Sequence, residues 1–288
     1  MDDKLYLRQG TSTDGAFSLV VTPEQAGWTY SGLKVLTLPP GGTHTWATGE
    51  DEILVLPLSG AATVMCGGGT AFELQGRRSV FSRVSDFCYA PRDATVTVTS
   101  RGGGAFAIPS ARCTRRLEPR YGPAQDVPVE LRGAGQASRQ VNNFCSPGAF
   151  ECDKLIAVEV LTPGGNWSSY PPHKHDETRE DEAELEEIYY FETQGLAYQR
   201  VYGTPARPID VLAEVGTGDV ILIPHGWHGP SIAGPGYALY YLNVMAGPEP
   251  ERSWRFCDDP AHAWIRGTWA DQPMDPRLPL TSATENDV

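Results

Sequence analysis

The chain has 288 residues, 40% hydrophobic and 20% charged, which excludes wholesale disorder and leaves room for two ordinary domains or one large β unit. A formal charge of −13 offers no basic surface to displace counterions from a duplex or to bind an anionic bilayer, so neither nucleic acid nor membrane is an expected partner. Glycine (31) and proline (24) exceed their usual combined share of roughly 12%, which disfavours a helix bundle and favours short strands joined by turns.

The expected strands, in chain order, are LKVLTL (33–38), EILVLPL (52–58), TVTVTS (95–100), KLIAVEVL (154–161), EIYYFE (187–192), YQRVYG (198–203), DVILIP (219–224) and YALYYLNVM (237–245). Each is a β-branched or aromatic run, and clusters such as PPGG (39–42), PGG (163–165) and GPG (234–236) punctuate them. Amphipathic helices are few, and 270–288 is polar and proline-rich, with the composition of a loose tail. No apolar run reaches the roughly 18 residues of a membrane span, and MDDKLYLRQG lacks the order of a secretory signal, so a cytoplasmic location is expected. Six scattered cysteines without a C-x-x-C are expected to be free thiols there.

A faint repeat runs through the chain. EILVLPLSG (52–60) and EIYYFETQG (187–195) share a Glu-to-Gly interval of 8, while DFCYAP (86–91) and DVILIP (219–224) share an Asp-to-Pro interval of 5. This alignment, which sets Glu52 against Glu187, implies a duplicated β unit with its boundary in the Arg-, Gly- and Pro-rich stretch 112–150. The domains are therefore expected at 1–125 and 126–288.

Two histidine pairs carry the chemical signal, His173-Lys-His175 and His225-Gly-Trp-His228. In an extended segment residues i and i+2 share a face, so His173 and His175 can aim two imidazoles at one point, and Pro171 and Pro172 favour extension. Imidazole suits first-row ions such as Zn, Fe, Ni, Cu and Mn. Two exposed loop histidines would produce the same spacing.

With Pro163-Gly-Gly165 before the H-x-H, Glu187 and Gly195 after it, then Gly218 to Pro224, Gly226 and His228, the order resembles the two motifs of the cupins. The strings SSYPPHKHD (168–176), EEIYYFE (186–192), GDVILIPHGWHG (218–229), YYLNVMAGP (240–248) and DDPAHAWI (258–265) narrow the resemblance to the bicupin family of 5-deoxy-glucuronate and 5-keto-4-deoxyuronate isomerases. The resemblance implies an all-β bicupin of two tandem jelly-roll barrels. It implies one divalent metal ion per chain (Zn, Mn, Fe or Ni) on His173, His175, Glu187 and His228, with no nucleotide or flavin. The first half, with His44-Thr-Trp46 in place of H-x-H, would be a structural copy without metal.

Glu187 stands 12 residues after His175, farther than the family's usual four or five, so Glu180, Glu182, Glu184 and Glu186 are rival ligands within an acidic insert expected to be a solvated loop. His225 rivals His228. The implied reaction is the isomerisation of 5-deoxy-D-glucuronate to 2-deoxy-5-keto-D-gluconate, with a small sugar acid as substrate; a homo-oligomer is compatible with it. Proton transfer needs an acid and a base, for which Tyr189, His225 and Tyr241 are candidates; the substrate carboxylate needs a cation, for which Arg200 and Lys174 are candidates. The same ligands would serve a cupin iron dioxygenase or a non-catalytic sugar-acid binder.

Overall fold

Alternating burial shows why the β-branched runs become half-covered strands: Thr95–Ser100, Ala197–Tyr202 and Asp210–Glu214 each turn every second residue inward. The structure is a computed structural model that describes residues 4–67 and 69–284. The first half is one nine-stranded sheet folded on itself through the 16-residue strand Asp51–Cys66. The N-terminal part of that strand pairs with Phe87–Ala90 and Gly104–Arg112, and its C-terminal part with Thr70–Arg77 and Thr95–Ser100. Gly60 lies near the bend with φ +85, where a Cβ would come within 2.3 Å of the Gly103 carbonyl oxygen, so this position needs glycine.

The second half opposes two sheets. One has seven strands, in the order Tyr6–Leu7, Val220–Ile223, Glu186–Thr193, Leu239–Ala246, Ile156–Thr162, Arg139–Asn143 and Val129–Arg132. The other has six: Asp210–Glu214, Ala197–Tyr202, Trp227–Ala233, His173–Lys174 and Cys257–Asp258, with Trp167–Ser168 pairing Trp227–Ala233. Tyr6–Leu7 thus joins the sheet of the second barrel, opposite Ile221 and Val220.

The seven-stranded sheet is covered on both faces. Tyr189, Phe191, Tyr241 and Met245 fill the second barrel, whereas Ile188, Tyr190, Leu242 and Val244 pack against Leu54, Leu56 and Leu58 of the first. Each barrel carries, within the first two residues of one strand, a glutamate that reaches into the other. Glu52 accepts from the backbone N–H groups of Asp153, Lys154 and Leu155 and from the Tyr89 hydroxyl, at 2.6–2.9 Å. Glu186 accepts from the N–H groups of Thr29, Tyr30 and Ser31 at 2.7–2.8 Å.

Strand register corrects the sequence repeat by one residue. Glu52 faces Ala111 as Glu186 faces Ala246, and Ile53 faces Ala90 as Glu187 faces Ile223. The counterpart of Glu52 is therefore Glu186, and Ile53 stands where Glu187 stands. The tail is also corrected: Thr281 is buried and bonds Gln140, Asp275 bonds Asn166, and the Val84 N–H donates to the Ser282 carbonyl. Among the described residues, no helix is long and apolar enough to cross a membrane.

Candidate metal centre

Two opposed sheets converge on one point inside the second barrel. His173 lies directly across the ladder from His228, and His175 follows on the same face two residues later. Glu187 enters from the opposite sheet, where the alternation that sends Tyr189 and Phe191 inward sends it inward too. Its Oε2 lies 3.2 Å from His175 Nε2 and 3.1 Å from His228 Nε2. One ring nitrogen from each of the three histidines falls within 4.8 Å of the others.

The outer ring nitrogens settle which way the rings point. His173 Nδ1 lies 3.4 Å from the Pro171 carbonyl, His175 Nδ1 3.3 Å from that of Leu185, and His228 Nδ1 3.3 Å from that of Gly226. An N–H at each Nδ1 satisfies these carbonyls and leaves Nε2 as a free lone pair facing inward. His228 Nε2 is buried without a hydrogen-bond partner. Glu187 is held by Asn243, whose Nδ2 donates to Oε1 at 2.7 Å, so Oε2 is the oxygen left to the imidazoles.

Burial, then the neighbouring His228 and His175, holds His173 well below the ordinary imidazole value, and burial first of all pulls His228 down to about 4. Burial also opposes protonation of His175, but the Glu187 carboxylate outweighs it and raises that ring. Three nitrogen donors and one carboxylate oxygen, in a buried place with an orphaned lone pair, fit a first-row divalent ion.

The family model described as KduI/IolB matches residues 5–265. The chain belongs to the KduI/IolB family. It is 41% identical over 250 residues to the 5-deoxy-glucuronate isomerase of Geobacillus kaustophilus, covering 85% of this chain and 89% of that protein. It is 38% identical to the Bacillus subtilis enzyme of the same name, covering 85% and 91%. The crystal structure of an IolB-like protein from Salmonella typhimurium superposes with a TM-score of 0.84 at 35% identity, over 91% of this chain and 98% of that one. Bacillus subtilis oxalate decarboxylase, at 12% identity and a TM-score of 0.62 over 88% and 79%, shares the fold alone, which is that of a bicupin.

Within this KduI/IolB chain the other expected site residues separate. Tyr189 and Tyr241 enter the barrel beside the centre, stacked at 4.9 Å, and the Tyr189 hydroxyl lies 2.7 Å from Ser169 Oγ. Burial, reinforced for Tyr189 by Glu187, raises both phenols above their ordinary value, so both are protonated at neutral pH. His225 stays outside the ring cluster, with its ring environment set by burial and by Arg207 and Asp176.

Neither candidate cation reaches inward. Lys174 points to the opposite face from its flanking histidines, and its Nζ donates to Asp176, Glu177 and Glu182. Arg200 lies on the outer face of its strand, bonded to Asp210 and to the carbonyls of Val201 and Val211. Two of the rival carboxylates, Glu180 and Glu184, are exposed, and the other two are engaged elsewhere: Glu186 caps the first barrel, and Glu182 is fully buried between Lys174 and Arg179. The insert is therefore folded around an ion cluster rather than being a solvated loop.

Sequence reasoning missed Asn243, and it missed the buried Arg139, whose Nη1 donates to the carbonyls of Ala137 and Tyr170. Asn243 lies two residues from Tyr241, so strand alternation alone put it on the same face. Arg139 falls in a stretch without hydrophobic periodicity, where no local signal marks a residue turned into the barrel.

Proposed function

We propose that the chain is a metal-dependent isomerase that converts 5-deoxy-D-glucuronate to 2-deoxy-5-keto-D-gluconate. The observation that carries this reading is the inward convergence of three Nε2 lone pairs and Glu187 Oε2, in a chain matched over 85% of its length by enzymes bearing that name. His173, His175, Glu187 and His228 would hold one divalent ion. When bound, that ion supplies a Lewis acid for a carbonyl and its neighbouring hydroxyl.

The chain's own groups do the rest. Asn243 fixes the carboxylate rotamer. Tyr189 and Tyr241, both neutral, present hydroxyl groups beside the centre, and the Ser169 hydroxyl next to Tyr189 can pass or receive a proton. Moving one hydrogen between adjacent carbons leaves the net redox state unchanged, so nucleotide and flavin are unnecessary.

The first barrel is read as structural support. Ile53 occupies the place of Glu187, and His44 and Trp46 pack edge-on against Phe17 at 4.9 and 5.8 Å. The test is proton NMR of metal-loaded protein with 5-deoxy-D-glucuronate in deuterated buffer, alongside elemental analysis of wild type and His175→Ala. Ketose formation without oxygen uptake, and one ion per chain lost in the variant, are expected. A metal-loaded protein that leaves the sugar acid unchanged refutes the assignment.

A further inference from the structure

The strand Arg139–Asn143 forms part of the wall of the second barrel. Val141 belongs to the barrel-interior cluster, whereas Gln140 and Asn142 turn to the other face, toward Thr281 and Glu159. Alternation therefore sends Arg139 into the barrel on the same face as Val141. It is only 4% exposed. Nη1 donates to the carbonyls of Ala137 at 2.9 Å and Tyr170 at 3.3 Å, and the guanidinium carbon lies 5.6 Å from the centre of the Trp269 ring. Its Tyr170 partner lies three residues before His173, and Val141, on the same face, stands opposite Val160, which stands opposite Tyr241, so the guanidinium lies on the side of the barrel that carries the candidate metal centre.

Neighbouring arginines are neutralised by carboxylates: Arg132 by Glu130, Arg266 by Asp258, Arg200 by Asp210. Among the described residues, Arg139 has no such partner, and its Nε and Nη2 donate to no acceptor. Arg252, also bound to carbonyls, uses both of its Nη atoms on three of them, whereas Arg83, donating to the Val84 carbonyl, is only part-buried there. Three residues that Arg139 contacts, Ala137, Tyr170 and Trp269, line a cavity of about 290 Å³ together with Ile265. Burial pulls its pKa down only to about 10, so it stays a cation at neutral pH. An uncompensated buried charge is costly, and the cost is offset when an anion arrives to complete it.

We propose that Arg139 binds the carboxylate of the sugar-acid substrate and so selects a uronate over the corresponding neutral aldose, a role for which Lys174 and Arg200 are already occupied. The inference rests on the isomerase reading for the identity of the sugar and on the geometry alone for the charge. A planar fork whose Nε and Nη2 are free matches a carboxylate in two parallel bonds. The arrangement places the acid end of the sugar near Trp269 and its carbonyl end toward His173 and Tyr241.

The test compares metal-loaded wild type, Arg139→Met, Arg139→Lys and the control Arg200→Gln on 5-deoxy-D-glucuronate and on its analogue carrying a C6 hydroxymethyl in place of the carboxylate. Arg139→Met should lose about 30- to 1000-fold in kcat/KM on the acid, chiefly through KM, with the neutral analogue and metal content unchanged. Arg139→Lys should fall between, and Arg200→Gln should match wild type. Undiminished preference for the acid in Arg139→Met overturns the proposal, as does an equal loss on both sugars. If Arg139→Met does not fold, Arg139→Lys decides: a KM raised only for the acid supports the proposal, and unchanged kinetics overturn it. If metal-loaded wild type turns over neither sugar, the isomerase reading fails by itself. Calorimetric binding of the acid then decides: binding by wild type that Arg139→Met or Arg139→Lys weakens supports the role of Arg139, and equal binding or none overturns it.

Discussion

Replacing Glu52 with glutamine separates the support role of this residue from metal binding. Four donors converge on its carboxylate: the N–H groups of Lys154 and Leu155 on Oε1, and the N–H of Asp153 with the Tyr89 hydroxyl on Oε2. Glutamine keeps one oxygen and turns an NH2 toward the other two donors. The Tyr89 hydroxyl can rotate away, but one buried backbone N–H is left without an acceptor, at about 1–3 kcal/mol. The two retained bonds lose their charge assistance, at about 1 kcal/mol each. The expected loss is therefore roughly 3–5 kcal/mol, read as a lower urea midpoint with an unchanged slope. Metal content should stay at the wild-type level, because Ile53 rather than Glu52 occupies the ligand position of the first barrel. A loss under about 1 kcal/mol would refute the capping argument, and loss of the ion from folded protein would refute the register argument.

Asn243→Leu should weaken metal affinity about 10- to 100-fold, measured by chelator competition, with circular dichroism unchanged, because Glu187 loses the donor that fixes its rotamer. Glu192 gives a pH signature. Burial pushes its carboxyl up to about 7 despite Arg77 and the Tyr190 hydroxyl. With the folded value above the unfolded one, its contribution to stability is fully present below about 4.5 and is lost as pH rises through about 7. Glu192→Gln should therefore melt close to wild type at pH 5 and above it at pH 8, and equal melting differences at both values would refute this sign.

The barrel architecture and the convergence of the three histidines are legible in the sequence because both depend on local patterns: strand alternation, turn residues and an H-x-H that shares one face. Glu187 was chosen over four acidic neighbours by its place at the head of a strand, and the structure brings that carboxylate to the histidines. The supporting match to Glu52 was one residue out of register. In a two-faced sheet a slip of one exchanges interior and interface, so a glutamate that caps the neighbouring barrel was aligned with one that enters its own. The order of the insert escapes a composition argument because it depends on Lys174, a buried cation whose partners Asp176 and Glu182 are brought to it only by the fold. Arg139 was invisible for a similar reason: its surroundings come from Ala137, Tyr170 and Trp269, which the chain brings together only on folding.

The short strand Tyr6–Leu7 also bears on how the molecule is made. Its partners are Ile221 and Val220, so the ribosome must add some two hundred residues before this ladder can close, roughly 10–40 s at ordinary elongation rates. Gln140 and Val84 wait longer still, for Thr281 and Ser282. A nascent first barrel therefore emerges with the apolar face of Leu54, Leu56 and Leu58 uncovered and its leading segment unpaired. Chaperone dependence during synthesis should accordingly exceed what either barrel's own topology demands, and the segment at Thr281 and Ser282 acts as a clasp that joins the two halves only after both have been made.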